Sequence, residues 1–184
     1  MDNILRLVPH PDGVNHSVDG FKVGFSVSHE GQMWLRYHVD CEPSLLTLDE
    51  PQEKIGRADR LWETTCFEVF LKKPGEMGYL ELNFSTARKW AAYSFEKYRG
   101  GMRNQRLVEN PEIYLDGSDS HIALEVTMQL PSQFSGEALD MGIAAIIEEK
   151  GDTKSYWALA HPPGKPDFHH EACFAFNLAA PVIP

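Results

Sequence analysis

Residues 57–103 decide the fold, and they read RADRLWETTCFEVFLKKPGEMGYLELNFSTARKWAAYSFEKYRGGMR. Within them, apolar and polar residues alternate over 79–85, which predicts a strand with two unlike faces. One face carries Leu80, Leu82 and Phe84, and the other carries Tyr79, Glu81, Asn83 and Ser85. The apolar face fits a core. The row of phenol, carboxylate, carboxamide and hydroxyl, with tryptophans nearby, indicates the lining of a binding surface.

Short segments of the same kind run along the rest of the chain, separated by Gly, Pro, Asp and Asn. They are rich in β-branched and aromatic residues and many alternate with a period of two. The predicted strands are residues 5–8, 21–28, 33–39, 66–71, 79–84, 89–95, 112–115, 121–128, 141–148, 155–160 and 173–178. One helical turn is expected at 130–134. This pattern predicts an all-β, antiparallel β-sandwich of the jelly-roll or immunoglobulin-like type.

Length and charge narrow the class of protein. At 184 residues the chain fits a single domain spanning 1–184. A net charge of -10 disfavours nucleic acid and anionic membranes as partners. We find no apolar run long enough to cross a bilayer. The N-terminus also lacks the basic start and following apolar run of a signal peptide, so we expect a cytoplasmic protein. Cys41, Cys66 and Cys173 are expected to be free thiols, although one disulfide is also compatible with the sequence.

The segment LWETTCFEVFL, residues 61–71, places a carboxylate among apolar neighbours. Glu68 shares a predicted strand face with cysteine and phenylalanine, where ionisation is costly without hydrogen bonds or a cation. Trp62 and Glu63 lie where that strand begins. One interpretation is a ligand platform, with a ring for stacking and carboxylates for hydroxyl groups, and the other is a structural ion pair. Glu81 and Asn83 would extend the same polar face.

Three arginines are candidate partners for the buried glutamates. Arg88, Arg99 and Arg103 follow the polar strand, and arginine binds carboxylates through two parallel hydrogen bonds. The same geometry would let Arg99 hold an acidic ligand, while all three could instead be solvated.

Two further features concern the surroundings of this face. Trp90 and Tyr93 fall on opposite faces of their strand and cannot both line one surface unless a bulge intervenes. Two long loops, 40–63 and 99–112, are predicted to be functional or partly disordered.

The segment WALAHPPGKPDFHH, residues 157–170, predicts a stiff, polar loop. His161, Lys165 and His169 lie in it, and its histidines and aspartate could bind a divalent ion. There is no HExxH motif, cysteine pair or repeated ligand spacing, so a structured loop that forms one wall of a binding cleft is the alternative.

Three segments resemble a known family: WETTCFEVFL (62–71), GYLELNFSTARKWAAYSF (78–95) and WALAHPPGKPDFHH (157–170). They are similar to the DOMON-like domains of bacteria, relatives of the family nine carbohydrate-binding modules. The resemblance implies a jelly-roll-like sandwich that binds a sugar or haem at one end or face. It places Trp62 and Glu68 at the motif's tryptophan and glutamate, and Glu81 and Asn83 on the polar strand that follows. Trp90 or Trp157 could be a second stacking ring.

The sequence thus predicts a non-catalytic module for a carbohydrate or similar polyhydroxylated small molecule, without a cofactor. A haem- or metal-binding domain is one alternative, and a sugar-acting hydrolase or lyase using Glu68 or Glu81 is another. The oligomeric state is left open. The predicted ligand-binding residues are Trp62, Glu63, Glu68, Glu81, Asn83, Trp90, Arg99, His161, Lys165 and His169.

Overall fold

Two largely antiparallel sheets face each other in the computed structural model, which describes residues 3–13 and 16–181. The strands are β1 (Asn3–Arg6), β2 (Val8–Pro9), β3 (Val18–Val27), β4 (Gln32–Cys41), β5 (Gly56–Arg57), β6 (Cys66–Lys72), β7 (Tyr79–Phe84), β8 (Lys89–Phe95), β9 (Arg103–Asn104), β10 (Glu112–Ser118), β11 (His121–Gln129), β12 (Leu139–Glu149), β13 (Thr153–Ala158) and β14 (Phe176–Leu178). The first sheet has the order β1-β3-β4-β11-β10. The second has the order β2-β13-β12-β6-β7-β8-β5, with β14 paired to β12 and β9 to β8.

Alternating apolar residues on the inner faces of both sheets form the main core. In β3 these are Phe21, Val23 and Phe25, and in β7 they are Leu80 and Leu82, all 3% exposed or less. Because side chains of a strand alternate between its faces, the same alternation sends the other residues of each strand outward. The predicted antiparallel β-sandwich is therefore confirmed.

The strand predictions agree closely with the structure. The predicted bounds of β7 and β8 are those observed, while β14 begins only at Phe176 because Glu171–Cys173 forms a 3₁₀ turn. The short strands β5 and β9 were not predicted. Each lies in one of the two long loops and has only two residues, too few for a visible alternation.

Helical structure in residues 3–13 and 16–181 is limited to short 3₁₀ turns, one of which, Ser132–Phe134, lies in the segment predicted as a helical turn. A helix long and apolar enough to span a membrane does not occur in these ranges. The cysteines Cys41, Cys66 and Cys173 are buried free thiols, as expected.

The second sheet is buried on both faces at its centre, and this is the feature that positions the site. Every residue of β7 is buried, although Tyr79, Glu81 and Asn83 point away from the main core. A second apolar cluster covers that outer face and includes Leu61 and Phe168, which come from the segments before β6 and after β13. Loops therefore form a third layer over β6, β7, β8 and β12.

Candidate functional site

A cavity of about 330 Å³ lies between the outer face of the second sheet and the loops that cover it. Its lining combines side chains from the sheet with side chains from the turn after β8 and the loop after β13. The lining residues are Trp62, Glu68, Glu81, Phe95, Arg99, Met102, Ile146, Tyr156, Pro166, Phe168 and His169. It is thus a mostly apolar hollow with two carboxyl groups from adjacent strands.

The two glutamates form the polar part of the floor. Glu68 is directly opposite Asn83 in the β6–β7 pair, and Glu81 is opposite Phe70 in the same pair. The glutamates are therefore diagonal neighbours on one face, as their alternation with inward-facing residues requires. They are only 3% and 4% exposed. Asn83 is fully buried and donates from Nδ2 to Oε1 of Glu81 at 2.8 Å.

Burial makes ionisation of both carboxyl groups unfavourable. It raises the pKa of Glu81 to about 7, against the opposing effects of the Asn83 hydrogen bond and the Arg99 charge. Burial also raises the pKa of Glu68 well above its usual range, and repulsion from Glu81 raises it further. Two carboxylates that share a site cannot both ionise easily, so the empty cavity holds at least one proton on the pair up to neutral pH.

A histidine in the loop after β13, His169, faces Glu81. The Tyr79 hydroxyl accepts from the backbone N–H of Arg99 at 3.1 Å and is hydrogen-bonded to Nδ1 of His169 at 2.7 Å. Nε2 of the same ring lies 3.8 Å from Oε2 of Glu81. Burial, and then the charge of Arg99, lower the pKa of His169 to about 4, so the ring is neutral at physiological pH.

Arg99 is tied to the loop rather than to the floor. Its Nη2 and Nε donate to Oδ1 of Asp167 at 2.8 and 3.2 Å, and Tyr98 donates to the other carboxylate oxygen. Although burial opposes ionisation of Asp167, these bonds from Tyr98 and Arg99 lower its pKa. The ion pair joins the turn after β8 to the loop after β13 at the edge of the cavity.

The prediction that arginines pair with the buried glutamates is wrong. Arg99 binds Asp167, and Arg103 forms an exposed pair with Glu96. Arg88 donates to three backbone carbonyls, of which the nearest is that of Ile113 at 3.0 Å. Arg88 and Arg99 have positive φ angles of 60° and 50°, so each lies in a turn that carries its side chain away from the strand.

Aromatic rings form one wall of the cavity. Trp62 lies in the 3₁₀ turn Leu61–Glu63 and is half-buried, with its ring edge-on to Tyr93 at a centroid distance of 5.6 Å. Tyr93 is itself held by a hydrogen bond to Asp59. Phe95 and Phe168 contribute further apolar surface. The tryptophan is therefore supported by Tyr93 and contributes its partly exposed ring to the cavity lining.

The structure separates the predicted site residues into two groups. It brings Trp62, Glu68, Glu81, Arg99 and His169 together in the lining of the cavity. Asn83 lies beside them on the same sheet face, bonded to Glu81.

The remaining predicted residues lie elsewhere. Trp90 is packed in the main core between the sheets, 6% exposed, because it falls on the inner face of β8. Glu63 is turned outward and paired with Arg60. His161 donates from Nε2 to the backbone carbonyl of Val8 at 2.9 Å. Lys165 is exposed, next to the lining residue Pro166.

Several lining residues were not predicted. Phe95 and Ile146 could have been found from strand alternation, because Phe95 shares a face with Tyr93 and Ile146 lies two residues beyond Ala144 on the outer face of β12. Tyr156 could have been found in the same way, because it lies two residues before Ala158 on the outer face of β13. Met102 and Phe168 had no such signal, since the folding of loops over a sheet determines their positions.

Metal binding was one of the alternatives, and the geometry bears on it. Among residues 3–13 and 16–181, no three His, Cys, Asp or Glu side chains lie close enough together to hold a metal ion. His161 packs against the ring of His10, whereas His169 faces Glu81. Met102 and His169 both line the cavity.

The fold and the site define a class of protein: a β-sandwich with a loop-covered cavity, carboxyl groups and aromatic rings on the outer face of one sheet. Solved structures share this fold. A Bacteroides uniformis protein, to which carbohydrate binding is provisionally ascribed, superimposes with a TM-score of 0.69 at 14% identity, over 94% of this chain and 84% of that one.

Two structures of family 9 carbohydrate-binding modules from Caldicellulosiruptor kristjanssonii also share the fold. The complex with cellotriose superimposes with a TM-score of 0.53 at 9% identity, over 89% of this chain and 74% of the module. The complex with glucose has a TM-score of 0.51 at 9% identity, over 89% and 76%. No protein-family profile and no curated protein sequence matches the chain. At these identities the similarity establishes the β-sandwich fold that the family resemblance implied.

Proposed function

We propose that the protein is a non-catalytic ligand-binding module and that the cavity over β6, β7 and β8 binds a carbohydrate or a similar polyhydroxylated small molecule. One observation carries the proposal. A supported, half-buried tryptophan and two nine-tenths-buried carboxyl groups line the same open hollow, although Glu68 and Glu81 have no arginine or lysine partner among the described residues.

This combination suits the two surfaces of a sugar. The axial C–H groups of a pyranose form an apolar face that can stack on Trp62 and Phe168, and such contact buries apolar area. The hydroxyl groups at the ring's edge can donate to Glu68 and Glu81, and hydrogen bonds to charged acceptors are stronger than neutral ones. A few convergent polar groups in a mostly apolar hollow are the usual composition of a small-molecule site.

The structural neighbours support the same class of ligand. Two of them are carbohydrate-binding modules in complex with cellotriose and glucose, and the third has carbohydrate binding ascribed to it. Their fold is shared, while their identity to this chain is at most 14%, so the choice of sugar depends on this chain's own residues.

The test measures the binding of a panel of sugars to the parent and to Trp62→Ala. Binding is measured by titration calorimetry and by intrinsic tryptophan fluorescence. We expect saturable binding by the parent and a loss of roughly tenfold or more in Trp62→Ala, because stacking of this kind contributes on the order of 1–2 kcal/mol. Trp34→Ala is the matched control, since Trp34 is also half-buried but lies on β4 of the opposite sheet. Equal affinity of folded Trp62→Ala and parent for every bound sugar would refute the proposal.

One observation favours a second candidate, a hydrolase or lyase acting on a sugar. The raised pKa of Glu81, about 7, is that of a general acid poised near neutrality. Turnover of aryl glycosides that is abolished in Glu81→Gln, while binding persists, would favour the enzyme. Binding without turnover over long incubation would favour the module.

The resemblance to DOMON-like domains stays a prediction. The cytoplasmic location is also still a prediction, and the three buried free thiols are compatible with a reducing compartment. Nucleic acid is still disfavoured as a partner by the net charge of -10.

A further inference from the structure

We propose that the preferred ligand of this cavity is an amino sugar with a free amine, whose ammonium group is bound by Glu68 and Glu81. This inference rests on the proposed function, because it specifies which polyhydroxylated ligand the same cavity takes. It follows from three properties of the floor: buried carboxyl groups without a cation, an excess of hydrogen-bond acceptors, and aromatic rings beside them.

The first property is the missing counter-ion. Glu68 forms no ion pair within residues 3–13 and 16–181. Its carboxyl group is hydrogen-bonded to the thiol of Cys66, is repelled by the charge of Glu81 and is attracted by the charge of Arg99 from a distance. Glu81 approaches one basic group, His169, at 3.8 Å, and that ring is neutral. A buried carboxylate without a cation is costly, and a bound cation removes that cost.

The nearby arginine, Arg99, compensates the floor carboxylates only in part. Its charge favours the ionised forms of Glu68 and Glu81. The guanidinium is nevertheless 52% exposed and is held by Asp167 through two hydrogen bonds, so it forms no ion pair with the floor. With one proton on the glutamate pair, the groups Glu68, Glu81, Arg99 and Asp167 sum to one negative charge. An ammonium ligand brings this sum closer to neutrality, whereas a neutral sugar leaves it unchanged.

The second property is the excess of acceptors. Oδ1 of Asn83 is buried and has no hydrogen-bond partner, although Nδ2 of the same amide donates to Glu81. Asn83 lies opposite Glu68 in the strand pair, so this acceptor belongs to the same patch of the sheet. An ammonium group has three donors and no acceptor, which complements two carboxyl groups on a patch of the sheet that is rich in acceptors. A hydroxyl has one donor and is itself an acceptor, so it complements this patch less well.

The third property is the aromatic wall. Trp62, Phe95 and Phe168 line the hollow together with the two glutamates. Aromatic faces attract cations, and the attraction is strongest for tryptophan and where water is excluded. The wall therefore favours the charged ligand further and still stacks on the apolar face of its ring.

The experiment compares matched ligands by titration calorimetry. Glucosamine, galactosamine and mannosamine are each paired with the corresponding hydroxyl sugar and with the N-acetyl derivative, which removes the charge. Cyclohexylamine and cyclohexanol form a pair without sugar hydroxyls. We expect at least one amino sugar to bind roughly tenfold or more tightly than both of its partners, since a charge-assisted hydrogen bond contributes about that factor.

Two variants and one control assign the preference to the floor. Glu68→Gln and Glu81→Gln keep the shape of the side chain and remove its charge, and each should abolish the preference for the amine while retaining weak binding of the hydroxyl sugar. Glu63→Gln removes an outward-facing carboxylate of the same neighbourhood and should leave the preference unchanged. Circular dichroism before each titration verifies that the variants are folded.

Proton release is a second readout. An ammonium ligand stabilises the ionised form of the glutamates, so its binding should release a proton from the pair near neutral pH. Titrations in two buffers that differ in ionisation enthalpy measure the number of protons released on binding. The hydroxyl sugars should release fewer protons, because a hydrogen bond from a neutral hydroxyl stabilises a carboxylate less than a cation does.

The outcomes separate this inference from the proposed function. Binding of hydroxyl sugars with no advantage for any amine would overturn the inference and leave the carbohydrate module intact. Binding of cyclohexylamine and of no sugar would support the ammonium site and overturn the carbohydrate module. No binding by any ligand of the panel would count against both.

Discussion

The hydroxyl of Tyr79 lies 2.7 Å from Nδ1 of His169, and this bond connects the sheet to the loop that covers it. Tyr79 begins β7, the strand of Glu81, whereas His169 lies in the loop after β13, 90 residues further along the chain. The same hydroxyl accepts the backbone N–H of Arg99 from the turn after β8. One side chain therefore holds three separate pieces of the cavity.

Replacing Tyr79 by phenylalanine should loosen the loop without disturbing the ring packing. The stacked contact with Phe95, at a centroid distance of 4.7 Å, is retained, while His169 Nδ1 and the Arg99 N–H lose their partner. We expect unfolding free energy to fall by about 1–3 kcal/mol, as for other buried hydrogen bonds. Urea denaturation measures this loss. Tyr98→Phe is the control, since its hydroxyl bond to Asp167 is at the exposed surface and should matter less.

The floor and the loop should give opposite dependences of stability on pH. The pKa of Glu81 is raised to about 7 in the folded protein, so its contribution to stability is present below pH 4.5 and is lost as pH rises toward 7. The pKa of His169 is lowered to about 4, so its contribution is present above pH 6.5 and is lost as pH falls toward 4. Between these limits the two slopes oppose each other at about 1.4 kcal/mol per pH unit each.

Single variants should separate the two opposing dependences of unfolding free energy on pH. In Glu81→Gln, unfolding free energy should rise with pH across this window more steeply than in the parent, whereas in His169→Gln it should fall more steeply. The charged and titratable groups facing them, namely Glu68, Arg99, Asp167 and Tyr79, are unchanged in both variants. Denaturation curves across pH 4.5 to 7 give the slopes. Parallel curves for both variants and the parent would contradict the assigned pKa shifts.

The faces of the central strands could be predicted from the sequence, but their register could not. Alternation alone placed Glu81 with Asn83 and Tyr79, and Glu68 with Cys66 and Phe70, on faces that the structure confirms. That Glu68 lies opposite Asn83 depends on the turn between β6 and β7. A shift by one residue would have exchanged the faces, and a shift by two would have placed Glu68 opposite either Glu81 or Ser85.

Partners that are distant in sequence were the part that could not be predicted. Arg99 and Asp167 are 68 residues apart, and neither lies in a regular strand whose period would position it. The position of Trp90, in contrast, could be predicted. Trp90 and Tyr93 are three residues apart on one strand, so alternation places them on opposite faces. Tyr93 lies on the outer face of β8, and Trp90 therefore lies on the inner face, away from the cavity.

The ion pair of Arg99 with Asp167 should stabilise the loop over the cavity. Asp167 is 17% exposed and accepts from Arg99, from Tyr98 and from the backbone N–H of His169 at 3.2 Å. We expect Asp167→Asn to lower unfolding free energy by about 1–3 kcal/mol, since it weakens several charge-assisted bonds at once. Ligand affinity should fall as well, because His169 and Phe168 line the hollow. Thermal denaturation and calorimetry give the two quantities.

The exposed pair of Arg103 with Glu96 is the matched control. Both side chains are more than half exposed, at 74% and 61%, so water screens their attraction. Glu96→Gln should change unfolding free energy by less than about 0.5 kcal/mol and leave affinity unchanged. An equal loss in both variants would show that the Asp167 pair has no special role in closing the cavity.

The attachment of the loop after β13 also depends on a glycine. Gly142 lies on the outer face of β12, opposite Phe70, and a Cβ atom there would be 2.9 Å from the carbonyl oxygen of Cys173. Because that oxygen belongs to the backbone, Gly142→Ala should displace the 3₁₀ turn Glu171–Cys173 and destabilise the protein by about 1–3 kcal/mol. The loop that carries His169 should then become accessible to limited proteolysis at native pH. Gly56→Ala is the control, since its Cβ would meet only the end of the flexible Lys89 side chain at 3.9 Å. Resistance of Gly142→Ala to both denaturant and protease, at the level of the parent, would show that the loop is anchored by its other contacts alone.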